Sequence, residues 1–184
     1  MNRMFAECYK IRDQQALHFL TFTIVGWIDI FSRKLYRDII LDSFTYCRLN
    51  KGLRVGAYVI MSNHIHVIWQ TNNNLSDIIR DFKTFTSKAI TNAIRKEPES
   101  RRDWLLYMFN FHANNTNQND TSKVWTNNNH PEEIYTEDFM KSKLFYTHNN
   151  PVRAGLVTEP EYYLYSSASN YITGKGLIEI DFLY

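Results

Sequence analysis

The fold is most readily inferred from the stretch Tyr58-Val59-Ile60-Met61-Ser62-Asn63-His64-Ile65-His66-Val67-Ile68-Trp69. Both halves are apolar and β-branched, which is typical of strands, and the serine–asparagine step between them predicts a tight turn. The two halves are therefore expected to pair as an antiparallel hairpin. Residues two apart on a strand share a face, with Cα atoms roughly 6.6 Å apart. The stretch thus predicts His64 and His66 side by side on one face, with Ile65 and Val67 turned toward a core.

Patterns on either side of the hairpin predict the remaining elements. Strands are expected at 18–25, 55–61, 64–70 and, more briefly, at 123–126 and 177–180. The first helix is expected to follow an N-cap at Ser32 and to end at Asn50 and Gly52. Further helices are expected over 75–94, 101–111 and 137–149. Thr136 is the expected N-cap of the last helix, and Pro151 is expected to end it. The order β-α-β-β-α-(α)-β-α predicts an α+β fold, a ferredoxin-like sandwich. It would have an antiparallel sheet of four or five strands with helices packed on one face, and the histidine pair on the other.

The composition indicates a folded chain without a membrane segment. With 184 residues, 44% hydrophobic and 15% aromatic, the chain is expected to form one domain, residues 1–184, and is too apolar for a disordered protein. A net charge of +2 neither requires nor excludes a nucleic acid, because a local basic patch matters more than the sum. There is no signal-peptide core and no run of about 18 apolar residues, so a cytoplasmic protein is expected.

Two minor features carry smaller expectations. Cys8 and Cys47 have neither a metal-ligand spacing nor the number needed for a disulfide framework, so both are expected as reduced, buried thiols. The polar run 114–120 predicts a mobile loop.

The histidine pair is a candidate metal site. Two imidazoles on alternate strand positions can converge on one ion, although two exposed or hydrogen-bonded histidines fit the same pattern. Zinc normally takes more soft ligands than this stretch offers, and neither cysteine is close in sequence. A third ligand with an oxygen donor suits Mg²⁺ or Mn²⁺, and the side-chain carbonyl of Asn150 could supply it.

The predicted helix 137–149 carries a candidate nucleophile, Tyr146. At about 100° per residue, Asn150 lies about 40° from Tyr146 and Lys143 about 60°, whereas apolar Leu144 lies about 160° away. A phenol, an amide and an ammonium therefore share one surface, although with 12 tyrosines in the chain a packing role stays open. Basic residues with aromatic ones nearby could bind a single nucleic-acid strand or form an ordinary solvated face: Arg80, Lys83, Lys88, Arg101, Arg102, Lys123 and Arg153, with Trp104 and Trp125.

Two motifs in this order are specific to a known family. The first is Met-Ser-Asn-His-Ile-His-Val-Ile at 61–68, and the second is Tyr-Thr-His-Asn-Asn-Pro-Val-Arg-Ala-Gly-Leu-Val at 146–157. Together they resemble the REP-associated tyrosine transposases, in the single-tyrosine branch of the HUH (histidine-hydrophobic-histidine) superfamily. Further similar segments make the resemblance span nearly the whole chain: 23–27, 75–83, 99–106, 129–133 and 165–171.

The resemblance implies a fold, a reaction and a set of residue roles. The fold is a ferredoxin-like sandwich, and the reaction is cleavage of single-stranded DNA at hairpin-forming palindromic repeats through a 5′-phosphotyrosine intermediate. The enzyme would be a transposase that acts as a monomer or homodimer, with no membrane partner. A free phenol has a pKa near 10 and needs help as a nucleophile, and the proton acceptor is open between Lys143 and water. The implied roles are metal ligation of Mg²⁺ or Mn²⁺ by His64, His66 and Asn150, nucleophilic attack by Tyr146, and DNA contacts by Lys83, Lys88 and Arg153.

Two other functions fit the same residues. One is a protein derived from a transposase that binds hairpin DNA or structured RNA without cleaving it. The other is a metal-dependent phosphodiesterase that uses water, rather than a tyrosine, as the attacking group. A covalent protein–DNA adduct would separate the enzyme from the binder, and the effect of Tyr146→Phe would separate the two enzymes.

Overall fold

The computed structural model describes residues 10–114 and 122–184. The strands are β1 (His18–Thr23), β2 (Leu53–Ile60), β3 (His64–Thr71) and β4 (Glu132–Glu133). The helices are α1 (Lys34–Lys51), α2 (Leu75–Lys96), α3 (Arg102–Asn114), α4 (Glu137–Arg153) and α5 (Ala168–Thr173), with 3₁₀ turns at Val25–Trp27, Ile30–Ser32 and Pro160–Tyr162. The strands form one sheet in the order β2-β3-β1-β4.

The predicted hairpin forms the centre of the sheet. β2 and β3 pair antiparallel from Leu53 opposite Thr71 to Ile60 opposite Ile65. The backbone N–H of Met61 closes the turn by donating to the carbonyl of His64 at 2.9 Å. β1 pairs antiparallel with the free side of β3, and β4 pairs with β1. This four-stranded antiparallel sheet with packed helices confirms the predicted ferredoxin-like α+β fold.

One face of the sheet holds the main hydrophobic core, under α1 and α2. Phe22 of β1 and Trp69 of β3 are buried there against Phe44 of α1 and Phe82 of α2. The rings of Phe44 and Phe82 stack with centroids 5.5 Å apart, and both contact Trp69 edge-on. Burying a side chain of this size stabilises the fold by about 1.5–3 kcal/mol relative to leaving it exposed. The odd-numbered positions of β3 therefore anchor the sheet to the helix layer, as the alternation predicted.

The opposite face carries the histidines and a smaller apolar cluster of Phe19, Ala57, Ile68 and Leu144. Here the structure differs from the expectation that helices cover one face alone, because α4 packs against β2 and β3 on this side. The buried side of α4 needs an apolar partner, and this cluster supplies it. The C-terminal segment also lies against this face, beside Gly56.

Two predicted helix ends are wrong. Helix α1 begins at Lys34, and Ser32, the predicted N-cap, instead donates its backbone N–H to Asp29 at the end of a 3₁₀ turn. Helix α4 does not stop before Pro151 but continues to Arg153. Proline removes one backbone donor from a helix, but the buried Pro151 ring lies on the inward side of α4, where packing holds the last turn.

Two predicted strands are also absent. Residues 123–126 form only an isolated bridge, between Trp125 and Ile24, because the chain after β1 turns at once into the 3₁₀ turn Val25–Trp27. The fourth strand is instead the short β4. Residues 177–180 are irregular, and it is the next residue, Asp181, that donates its backbone N–H to the carbonyl of Val55 at 2.9 Å.

Some expectations fall partly or wholly outside the described ranges. Cys8 and residues 115–120 of the predicted mobile loop lie outside them, and Asn114 is the last residue of α3. Cys47 is a buried free thiol, as predicted. Within 10–114 and 122–184, no helix combines the length and the hydropathy needed to cross a bilayer.

Candidate functional site

The alternation of β3 sets the two histidines next to each other on the α4 side of the sheet. The imidazole rings of His64 and His66 have centroids 4.8 Å apart and an interplanar angle of 73°. Ile65 and Val67 point to the main core, where both are fully buried. Two nitrogen donors from one strand thus face the same space.

Asn63 determines which nitrogen of His64 is available. The side-chain amide nitrogen of Asn63 donates to the carbonyl of Trp27 at 3.3 Å, so its Oδ1 faces His64 at 2.7 Å from Nδ1. An amide oxygen can only accept, so Nδ1 of His64 carries the proton and Nε2 carries the lone pair. A histidine that binds a metal usually donates its other ring N–H in this way.

His66 is held by the neighbouring strand. Thr21, its cross-strand partner on β1, lies with Oγ1 2.9 Å from Nδ1 of His66, and the ring of Phe19 stacks on the imidazole at 5.3 Å. Burial lowers the pKa of His66 to about 3, with further contributions from His64 and Lys143. Burial also lowers the pKa of His64. Both rings are therefore neutral near pH 7, which is the form that binds a metal.

Helix α4 brings Tyr146 to the histidines. Thr136 caps the helix as predicted, its side chain accepting from the N–H of Phe139 at 3.2 Å. The half-buried ring of Tyr146 meets His66 edge-on with centroids 5.2 Å apart, and meets Phe19 at 5.9 Å. The side chains of His64, His66 and Tyr146 thus lie close together, although their two segments are 80 residues apart in the sequence, as the motif pair predicted.

Two residues after Tyr146, a hydrogen-bond chain through His148 connects α4 to the sheet. Nε2 of His148 lies 2.8 Å from Oγ of Ser167, which in turn accepts from the backbone N–H of Tyr58 on β2 at 2.9 Å. Burial lowers the pKa of His148 to about 4, so the ring stays neutral. The register of α4 against β2, and with it the place of Tyr146, depends on this chain.

Two cationic side chains flank Tyr146. Lys143 forms an ion pair with Glu132 of β4 at 2.7 Å, and its ammonium lies 4.5 Å from the centroid of Phe19. The exposed Arg153 has its guanidinium carbon 5.4 Å from the centroid of the Tyr146 ring. An anion that approaches the phenol would therefore meet the charge of Arg153, whereas the charge of Lys143 is balanced by Glu132.

Asn150 lies one helical turn beyond Tyr146 and is half-buried. Because α4 continues through Pro151, Asn150 keeps regular helical register with the phenol, about 40° around the helix. Its side chain makes no hydrogen bond to another described residue, so the amide oxygen is available. His66 is in ring contact with both His64 and Tyr146, and Asn150 lies one turn after Tyr146 on α4.

Two imidazoles and one amide oxygen could together hold a divalent cation, and its identity as Mg²⁺ or Mn²⁺ stays a prediction. Nowhere in the described part of the chain do three or more His, Cys, Asp or Glu side chains group together where an ion could bind. A cation bound by the two imidazoles would therefore need a third ligand of another kind, and the amide oxygen of Asn150 is of that kind. Substrate oxygens and water would complete the coordination of Mg²⁺ or Mn²⁺.

The two predicted DNA-contact lysines lie elsewhere. Lys83 and Lys88 belong to α2, which packs on the opposite face of the sheet from the histidines. The ammonium of Lys83 is largely buried and donates to the carbonyl of Thr126 at 2.6 Å and to Oδ1 of Asn129 at 2.8 Å. Lys83 thus holds the segment before β4, while Lys88 is exposed beside the groove between α1 and α2. Their contact with DNA stays a prediction.

Three residues beside the site were not found from sequence. Thr21 becomes a partner of His66 only once β1 is known to pair with β3. Asn63 was assigned to a turn, although its position directly before the histidine motif was a usable signal. Trp27 lies in a 3₁₀ turn that the strand pattern did not predict.

The sequence matches no protein-family model and no curated protein. Its fold is similar to a solved structure of the REP-associated tyrosine transposase bound to a REP hairpin. The TM-score is 0.61, and the match covers 98% of this chain and 92% of that chain at 16% sequence identity. The resemblance noted from the motifs is thus confirmed at the level of the fold, over nearly the whole chain.

Proposed function

We propose that the protein cleaves and rejoins single-stranded DNA, with Tyr146 as the nucleophile and a divalent cation held by His64, His66 and Asn150. The observation that carries the proposal is the contact between the rings of Tyr146 and His66, whose centroids are 5.2 Å apart. A phenol beside two imidazoles that can bind a cation fits attack on a phosphodiester. The fold shared with a transposase bound to a REP hairpin supports hairpin-forming DNA as the substrate.

Each part of the site has a distinct task in this reaction. Asn63 and Thr21 orient the two imidazoles through their Nδ1 atoms. A cation bound there would polarise the scissile phosphate and stabilise the charge that develops on its oxygens. The guanidinium of Arg153 can donate to the non-bridging oxygens of the same phosphate, because it lies beside the phenol and is exposed.

The reaction exchanges one phosphodiester for another. The Oη atom of Tyr146 bonds to phosphorus, the bond to the 3′ oxygen breaks, and that oxygen takes up a proton while the phenol loses one. The products are a 5′-phosphotyrosine and a free 3′-hydroxyl, which can reverse the attack without ATP. We propose water as the acceptor of the phenolic proton, because the ammonium of Lys143 is already paired with Glu132.

A covalent-adduct assay tests the proposal. Single-stranded oligonucleotides that carry the repeat next to the protein's own gene are labelled at the 3′ end and incubated with Mn²⁺. We expect a labelled, denaturant-resistant adduct, and mass spectrometry should map the nucleotide to Tyr146. Tyr146→Phe should form none, whereas Tyr135→Phe, a change at an exposed tyrosine outside the site, should react like the wild type.

The alternatives give different results in the same assay. Retarded but intact DNA would make the protein a hairpin-binding protein without this activity. Cleavage that persists in Tyr146→Phe would indicate a phosphodiesterase that uses water. Either result would overturn the proposal.

A further inference from the structure

Trp27 presents an exposed indole beside the histidine pair. Its side chain is 68% exposed, although tryptophan is a residue that folding normally buries to a large extent. The indole meets the imidazole of His64 at 70°, with ring centroids 6.4 Å apart. One edge of the site is therefore an aromatic surface open to solvent.

The backbone holds this indole in an unfavourable conformation. Trp27 has a φ of +55°, and among the residues that the structure describes only His130 shares a positive φ without being glycine. Gly26, with a φ of +62°, precedes it, and a Cβ on Gly26 would lie 2.9 Å from Nε2 of His112 on α3. Strained residues persist only where their surroundings hold them, and they cluster where ligands bind.

Asn63 connects the backbone of Trp27 to His64 through two hydrogen bonds. Its Oδ1 accepts from Nδ1 of His64, and its amide nitrogen donates to the carbonyl of Trp27. One side chain therefore fixes both the imidazole that faces the candidate cation and the backbone that carries the indole. The indole has a set position relative to the histidines rather than that of a free surface ring.

We infer that Trp27 stacks on an unpaired base of the DNA strand, next to the phosphate that Tyr146 attacks. The inference rests on the proposed function and adds to it a binding position for one nucleobase. Every base has a π-face, so an exposed indole binds single strands by stacking without requiring a particular sequence. Because the indole lies one ring contact from His64, the stacked base belongs to the nucleotide at the scissile phosphate or to its neighbour.

An abasic scan separates stacking from a general effect on the protein. In a Tyr146→Phe background, which binds without cleaving, affinity is measured for oligonucleotides in which one unpaired nucleotide at a time lacks its base. With Trp27 present, one position near the cleavage site should weaken binding by about tenfold. With Trp27→Ala, binding to intact DNA should fall by a similar factor, and the abasic penalty at that position should disappear. Trp27→Phe should restore part of both effects.

Matched controls make the result specific. Phe85 is an exposed ring on α2, on the other side of the sheet, and Phe85→Ala should leave affinity and the abasic profile unchanged. Thermal unfolding should show that Trp27→Ala keeps the fold.

The outcomes distinguish the two proposals. If Trp27→Ala binds as well as its parent, or keeps the same abasic penalty, the stacking role is wrong even though adduct formation by the wild type stands. If the wild type neither binds the DNA nor forms the adduct, both proposals fail.

Discussion

The rings of His66 and Tyr146 meet edge to face, with centroids 5.2 Å apart and an interplanar angle of 70°. Phe19 contacts both, stacking on His66 at 5.3 Å and meeting Tyr146 edge-on at 5.9 Å. The phenol is therefore positioned by β1 and β3 as well as by its own helix. The candidate nucleophile and the two candidate metal ligands thus pack together, so a substitution at one of them can affect the others.

The metal-ligand assignment predicts that His64→Ala abolishes cleavage and leaves the fold intact. His64 is the half-buried first residue of β3, and the alanine removes a candidate ligand of the cation without leaving a cavity in the core. Calorimetric titration with Mn²⁺ should show binding to the wild type and no binding to the variant. The adduct assay should show no product for the variant. His66→Ala should behave alike, with some loss of stability because its ring packs on Phe19.

A histidine outside the site serves as the control. His130 is exposed in the segment before β4, and His130→Ala should bind Mn²⁺ and cleave like the wild type. EDTA should stop cleavage by the wild type, and Mg²⁺ or Mn²⁺ should restore it. Activity that resists EDTA, or wild-type rates in either variant of the pair, would refute the assignment.

Asn63 offers a sharper test, because its two ends have separate partners. Asn63→Ala removes the acceptor for Nδ1 of His64 and should weaken Mn²⁺ binding by about 10–100-fold, the usual effect of losing such a partner. Asn63→Asp keeps an oxygen toward His64 but loses the donor to the carbonyl of Trp27. We expect Asn63→Asp to retain Mn²⁺ affinity, measured by titration. Equal losses in the two variants would contradict this division of roles.

The fold and the main site residues were predictable because each rests on a local pattern. Alternation in residues 58–69 predicted both the hairpin and the side of the sheet on which His64 and His66 lie. The pattern around Tyr146 predicted a helix that carries this candidate nucleophile, and the i+4 spacing predicted where Asn150 lies relative to the phenol. Strand period and helix period are properties of neighbouring residues, so sequence alone expresses them.

The unpredicted features depend on contacts between distant segments. Thr21 faces His66 only through the β1–β3 register, and Lys83 turns inward only because Thr126 and Asn129 offer it acceptors. A basic residue on a helix looks solvent-exposed in sequence, so Lys83 was grouped with surface cations. The positive φ of Trp27 likewise arises in the 3₁₀ turn Val25–Trp27, which packs against α3. The local sequence pattern did not predict this turn.

Arg153 should contribute to DNA binding mainly through charge. Its exposed guanidinium lies over the Tyr146 ring, which the proposed reaction would bring next to a phosphate. If it contacts one phosphate of a single strand, Arg153→Gln should lower the slope of log Kd against log salt by about 0.7. Binding titrations of the Tyr146→Phe protein between low and moderate salt measure this slope.

A surface arginine on the helix layer is the matched control. Arg95 on α2 is exposed on the other side of the sheet, so Arg95→Gln should leave the slope unchanged. An unchanged slope in Arg153→Gln would exclude a phosphate contact by Arg153.

Stability at acid pH should depend on Glu99, which lies between α2 and α3 with its side chain 1% exposed. Arg33 donates to Oε2 at 2.6 Å, the hydroxyl of Tyr36 donates to the same oxygen at 2.7 Å, and the N–H of Arg101 donates to Oε1 at 3.0 Å. Burial alone would raise the pKa of Glu99, but these donors outweigh it and lower the pKa below the usual 4.5. The carboxylate therefore joins the start of α1 to the α2–α3 connection.

Because the folded pKa is the lower one, the contribution of Glu99 is complete above pH 4.5 and is lost as the pH falls through the folded value. Glu99→Gln should lower the free energy of unfolding by about 1–3 kcal/mol near pH 7, since it weakens hydrogen bonds to a charged group. The difference between wild type and variant should shrink below pH 4.5. Urea unfolding at several pH values measures it, and other carboxylates with a lowered pKa, such as Asp81 and Glu137, cancel in the comparison. A difference that stays constant from pH 7 to pH 3 would show that the charge of Glu99 does not stabilise the fold.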